Sequence, residues 1–387
     1  MARWKRCAAQ FAAGVVLGCA LWAPVHPAAA AEWGTFRGGP GLTGYAAVAL
    51  GDRLARVWHF RAGAPVRAAP VAGGGRVYFH TVKGEIFALD RQGRKLWSAP
   101  LAAGADGEPL RAPLLYADGL VIAGSRDGSL RAFDADSGRE RWHYRVGADV
   151  QASANRVDGN AGGVVVVSQP DGVLHLVSLS SGQARWRSAA TNRCDGPAAV
   201  EAGLIAYGNC DAAFHVFDAA TGRRLHQIPL GRDRQVFAGV ALAGGRLYGG
   251  DRSGRLTCAD TATGRMLWSS EAARKGIPLP PAVSSDRVVY GADDGRLYAL
   301  DRASGRLLWS AEAGSAPVRP VVLRDRVVAT AGGAILLLRL DDGRLLWSEE
   351  ASDEVTEPVL AADLVLVGTE DGFVIAYGPV PAGRQSP

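Results

Sequence analysis

Seven tryptophans divide this 387-residue chain into units of nearly constant length: Trp58, Trp97, Trp142, Trp186, Trp268, Trp309 and Trp347. The one gap is filled by His226, in the sequence GRRLH, and the successive spacings are then 39, 45, 44, 40, 42, 41 and 38 residues. Residues 286–309, DRVVYGADDGRLYALDRASGRLLW, show what one unit holds. Three runs of about five β-prone residues are separated by Asp-Asp-Gly and Asp-Arg-Ala-Ser-Gly, which is the pattern of antiparallel strands joined by tight hairpins. Such a sheet alone would leave two apolar faces and open edges uncovered. Repetition supplies the cover.

Units of about 40–45 residues with four strands each predict the blades of a β-propeller. Helical repeats of similar period are excluded by the density of turn signals and by the absence of a 3.6-residue apolar period. The second strand of each unit starts near Val77, Leu120, Val164, Leu204, Leu247, Val288, Val327 and Leu364, which counts eight blades. A further strand precedes each of these. It often carries proline (Pro70, Pro113, Pro197, Pro281, Pro320 and Pro358) and suits the innermost position A around a central channel. The last unit has strands at 364–367 and 373–377 but no fourth strand with its tryptophan. Residues 53–63, RLARVWHFRAG, match the missing piece. The sequence therefore predicts an all-β, eight-bladed propeller over residues 32–380, its ring closed by the N-terminal strand around Trp58. Residues 381–387 are expected to be a disordered tail.

The first 31 residues read as a secretory signal. Arg3, Lys5 and Arg6 form a basic start, Ala8 to Trp22 an apolar stretch, and Ala28 to Ala31 a small-residue cleavage site before Glu32. A rival processing site, Val16-Leu17-Gly18-Cys19, loosely resembles a lipobox whose Cys19 would be acylated, although Val and Leu are not the favoured residues there. The expected location is the periplasm, with an outer-membrane lipoprotein as the alternative. Three of the five net positive charges lie in this segment, so the remainder is nearly neutral and has no basic block of the kind that binds nucleic acid. Nothing after residue 31 is long and apolar enough to span a membrane.

The pattern A-x-D-x-x-(T/S)-G-x-x-x-W stands at Ala132, Asp134, Ser137, Gly138 and Trp142, and again at Ala299, Asp301, Ser304, Gly305 and Trp309. It recurs with Cys258 in the alanine place, before Asp260, Thr263, Gly264 and Trp268. This pattern resembles the tryptophan-docking repeat of the quinoprotein (PQQ-like) β-propellers. The opening WGTFRGGPGLTG, residues 33–44, looks like the start of many exported proteins with such repeats. Size, blade number and export signal are similar to the BamB family of outer-membrane assembly factors. That resemblance implies a non-enzymatic, monomeric scaffold that binds envelope proteins.

The repeat residues have a physical task whatever the function. Each indole can wedge between neighbouring blades with its N–H on a backbone carbonyl, while Asp holds the turn amides and Gly supplies a positive φ. The quinoprotein enzymes of this fold, by the same resemblance, hold PQQ over the channel with a metal, a catalytic Asp and often a pair of adjacent cysteines. No Cys-Cys pair and no long insertions are present here, so no cofactor is expected, and the alternatives to the scaffold are an accessory propeller binding a small molecule at the channel and, behind it, a PQQ-dependent oxidoreductase. His59, His80, His143, His175, His215 and His226 form no metal-ligand spacing, and the Asp-rich turns fall short of a calcium loop. His175 and His215 occupy equivalent positions in adjacent blades.

Two expectations can be located. Pairing strand A to strand B of one blade about residue 202 puts Cys194 opposite Cys210, a predicted disulfide, with two buried thiols as the alternative. Cys258 should simply be packed. The functional surface is expected on the ring face bearing the D–A and B–C loops. Arg67, Arg111, Gln151, Asp195, Gln235, Arg319 and Glu357 are the candidates at its channel mouth, and the arginines there suggest an anionic or polar ligand or a carboxylate-bearing partner.

Overall fold

The computed structural model describes residues 32–101, 112–125, 127–159 and 162–380. The signal segment, Cys19, Arg111 and the C-terminal tail lie outside the described residues. The described chain forms eight antiparallel four-stranded sheets. Blade 1 comprises Val71–Gly73, Arg76–His80, Glu85–Asp90 and Lys95–Pro100 as strands A to D. Blades 2 to 7 repeat the order over 115–145, 155–187, 199–229, 241–270, 282–312 and 318–350. Blade 8 takes strands A to C from Val359–Ala361, Leu364–Gly368 and Phe373–Pro379, and its strand D from Leu54–Arg61. Leu54 pairs with Pro379 and Arg61 with Phe373, so the ring closes as the sequence predicts. Strands A line the channel. Pro70, Pro113, Pro197, Pro281 and Pro358 stand just before them, and Pro320 lies inside the longer Val318–Val322.

The repeat residues act across the boundaries between blades. Trp97 Nε1 donates to Ala135 O at 2.9 Å, Trp142 to Leu179 O at 2.9 Å and Trp309 to Leu340 O at 2.8 Å. Trp58, Trp186 and Trp268 do the same toward Arg91, Ala219 and Arg302. For each of these six indoles the accepting carbonyl belongs to the second residue of the next blade's C–D turn, whose first position is held by Asp90, Asp134, Asp218 and Asp301 in four of the six. His226 substitutes, its Nε2 lying 3.1 Å from Ala262 O. The turn glycine is required twice over. Gly305 has φ +72°, and a Cβ there would lie 2.5 Å from the ring of Trp268. The motif aspartates hold the turns: Asp301 Oδ1 accepts from the amide and hydroxyl of Ser304, and these bonds hold its carboxyl below the usual range. The motif alanine sits across from the indole, as Ala132 does from Trp142 and Ala299 from Trp309. Cys258 takes that place opposite Trp268, fully buried, and burial pushes its thiol up to about 11.

Trp347 is different. The next blade's strand D comes from the other end of the chain, so no C–D turn exists for it to dock on, and it packs edge-on to Tyr377 with centroids 6.0 Å apart.

The predicted disulfide is corrected. Cys194 and Cys210 are free thiols. Strand A pairs Ala199 with Ala206 and Glu201 with Leu204, so the hairpin centre falls between 202 and 203 and not on 202. A shift of register changes which side chains face one another. Cys194 turns into the core, its Sγ 3.3 Å from Gly208 O, whereas Cys210 is half-buried.

Residues 33–48 do what the repeat pattern alone does not indicate. They form a strap along the inner wall, feeding carbonyls to the free inner edge of strands A. Trp33 O accepts from Ala72 N, Gly34 O from Tyr116 N, Pro40 O from Val200 N, Gly41 O from Leu242 N, Thr43 O from Val283 N and Gly44 O from Val322 N. Asn155 Nδ2 of blade 3 donates to Pro40 O, and Glu32 bridges to Ala361 of blade 8. All eight blades are touched. Buried amides left unpaired would each cost roughly 1–3 kcal/mol, so the strap satisfies the inner edges as blade docking satisfies the faces. Within it Arg37 has φ 59° and is almost fully buried. Its Nη1 donates to Pro320 O at 2.8 Å and lies 3.7 Å from Glu357 Oε2.

Candidate functional site

The strap runs along the channel wall and reaches the cup through Phe36. On the face of the D–A and B–C loops, the ring opens into this cup of about 560 Å³. The segments just before strands A build its wall, because each D–A loop must turn inward there to begin the next blade. Arg67, Gln151, Asp195, Arg319 and Glu357 all line it, so five of the seven candidate residues converge. Gln235 does not line the cup. It lies beside it, its carbonyl accepting from Arg252 N at 3.1 Å. Arg111 lies outside the described residues.

The electrostatics depart from the expectation of an anion site. Arg67 makes a two-pronged pair with Glu370, at 2.8 Å and 2.5 Å. Arg319 donates to Val355 O at 2.9 Å and pairs with Glu354 at 3.3 Å. Asp195 accepts from Gln169 at 2.7 Å and pairs with Arg193 at 2.9 Å. Glu357 is buried against Arg37 beneath the wall. Burial pushes its carboxyl up, Arg37 and Arg319 oppose that, and burial pushes the Arg37 guanidinium down. The lining arginines are thus committed to carboxylates, and the cup is a balanced polar surface rather than a cationic one.

Sequence reading missed Glu354 and Glu370, whose importance comes only from their arginine partners. Glu370 lies 303 residues from Arg67 in sequence. It also missed Phe36 of the strap and Phe237, which give the cup its aromatic surface. Only the position of Glu370 in a B–C turn could have signalled it. His175 and His215 are buried on strands C of blades 3 and 4. Tyr144 hydroxyl lies 2.9 Å from His175 Nδ1, and burial first, then a nearby arginine, lowers both rings to about 4. They are interior neutral imidazoles.

The docked indoles, Asp-anchored turns and closed ring define an eight-bladed propeller of the PQQ-like repeat class. Comparison with known proteins places it further. The family model described as outer membrane protein assembly factor BamB matches residues 47–201 and 211–385, and the chain belongs to that family. The BamB of Burkholderia pseudomallei is 26% identical over 241 residues, which cover 58% of this chain and 60% of that protein's length. Among solved structures, BamB from Moraxella catarrhalis superposes with a TM-score of 0.72 at 19% identity, covering 84% of this chain and all of that one. A europium-containing methanol dehydrogenase superposes as well, with a TM-score of 0.73 at 15% identity over 90% of this chain and 98% of that one. At these identities the structural likeness speaks for the fold alone.

Among the described residues no three of His, Cys, Asp and Glu gather to hold a metal ion. The described arginines of the cup, Arg67 and Arg319, are paired with carboxylates.

Proposed function

We propose that this chain is an exported, non-enzymatic scaffold of the cell envelope that binds other envelope proteins during outer-membrane protein assembly. The observation that carries the reading is membership of the family of that description across most of the ring. The geometry supports it. The repeated side chains are consumed in docking blades, and among the described residues His80, His175 and His215 are buried and the cup is lined by no histidine. The start of the sequence supports export through residues 1–31, with acylation at Cys19 as the alternative route to the outer membrane. Mild cross-linking in the native host followed by affinity recovery should bring down an outer-membrane assembly protein. Repeated recovery of none would remove this reading.

A second reading has one observation in its favour, the closed cup with its aromatic floor. In it the ring is an accessory propeller that binds a small polar molecule there. Saturable uptake of PQQ with Ca²⁺ by the purified protein, followed by absorbance and mass, would overturn the scaffold reading.

A further inference from the structure

Beside the cup, on the same face, lies a second concavity of about 540 Å³ with the opposite charge balance. It sits where three loops meet: the B–C turn of blade 5 with Arg252 and Ser253, the link from blade 5 to blade 6 with Arg274 and Lys275, and the B–C turn of blade 6 with Asp293. The loops are fastened to one another through the backbone. Arg252 N donates to Gln235 O at 3.1 Å, Asp293 N to Gly276 O at 2.9 Å, and Arg274 N to Asp294 Oδ2 at 3.0 Å. The frame is therefore fixed while the charged ends remain outside it.

Those ends are uncommitted. Among the described residues Arg252, Arg274 and Lys275 have no ion-pair partner, in contrast to Arg67 and Arg319 next door. The Arg252 guanidinium instead lies over the Phe237 ring, 4.6 Å from its centroid, which orients it without neutralising it. Among the described residues Asp293 is the carboxylate of the lining and Asp294 stands beside it on the Arg274 amide, so three cations face two anions. A local excess of positive charge, held on pinned loops, is the arrangement that an oxyanion satisfies. A planar guanidinium and a compact ammonium offer complementary donors to such a group.

We propose that this notch between blades 5 and 6 binds a small doubly charged oxyanion, a phosphate or a dicarboxylate. The site stands apart from the scaffold reading and holds whether or not that reading does. Titration calorimetry on the full exported chain, with inorganic phosphate in one arm and succinate in the other at constant ionic strength, tests it and separates the two sources. Saturable one-to-one binding in either arm is expected. Arg252→Gln and Lys275→Gln should each weaken it at least fivefold, and Asp293→Asn should tighten it. Arg306→Gln removes an exposed charge from a C–D turn, away from the notch, and should leave the affinity unchanged. All four side chains are exposed, and melting without anion checks that the variants fold. No saturable binding in either arm would overturn the proposal. So would equal weakening by Arg306→Gln, which marks non-specific charge attraction.

Discussion

Blade 6 and blade 8 are the same four-stranded sheet assembled in two ways. Blade 6 is local: its strands follow one another through 282–312, and its C–D turn offers Gly305 and the Arg302 carbonyl to Trp268 of the blade before. Blade 8 joins Leu54–Arg61 to Phe373–Pro379 across more than 300 residues and offers Trp347 no such turn. An ordinary blade is thus secured by docked tryptophans, and the seam by strand pairing and by the strap that follows the inner wall. Closing a long loop costs entropy that only the finished ring repays. The seam should therefore govern cooperativity, and the ordinary blades should set the stability of the ring once closed.

The largest effect should come from removing the seam. A chain lacking residues 32–62 loses strand D of blade 8 and the strap, and it should show no cooperative thermal transition. A normal melt would break the contrast drawn here. Next is the latch between Arg37 and Glu357. Arg37→Met leaves a buried carboxylate without its cation and should cost about 3–5 kcal/mol by urea unfolding, whereas Arg37→Met with Glu357→Leu should recover most of the loss. A double variant as unstable as the single would show that the pair is more than a latch. Trp309→Ala should cost about 3–5 kcal/mol. Trp347→Ala should cost less by about 1 kcal/mol, roughly one hydrogen bond, because it has no turn to dock on. Equal losses would mean that the seam docks its indole after all.

A pH effect belongs to blades 3 and 4. His175 and His215 titrate near 4 in the folded ring, below the ordinary value of 6.5. Below 6.5 the unfolded chain therefore binds protons that the folded ring refuses. Their contribution is fully present above pH 6.5 and declines as pH falls toward 4, by up to about 3 kcal/mol for each ring. Unfolding midpoints measured between pH 7 and 4.5 should fall, and His215→Phe should flatten that slope. A slope unchanged by the substitution would assign the loss to other groups.

Much of the fold was legible because each blade is written locally. Turn residues, strand length and a terminal tryptophan all act within about 40 residues, and the same Asp, Gly and Trp then perform the same task at each boundary. Even the closing strand could be found, since 53–63 repeats the missing piece. The site was legible only in outline. Arg67 and Arg319 were placed at the channel mouth from their position before strand A, yet their charge was read as available. Glu370 and Glu354 neutralise them from segments whose nearness no local pattern reports. The cysteine pairing failed for a finer reason, since hairpin register depends on a turn geometry that shifts the centre by half a residue.

What the sequence determined by itself is therefore the blade, its repetition and the count of eight, because hairpins and docking motifs are short-range chemistry. The tertiary structure decided the rest. It set the carbonyls of residues 33–44 against inner strand edges, paired the arginines of the cup and left Arg252, Arg274 and Lys275 without an ion-pair partner among the described residues. Those outcomes depend on which residues the closed ring brings face to face, and only the ring carries that information.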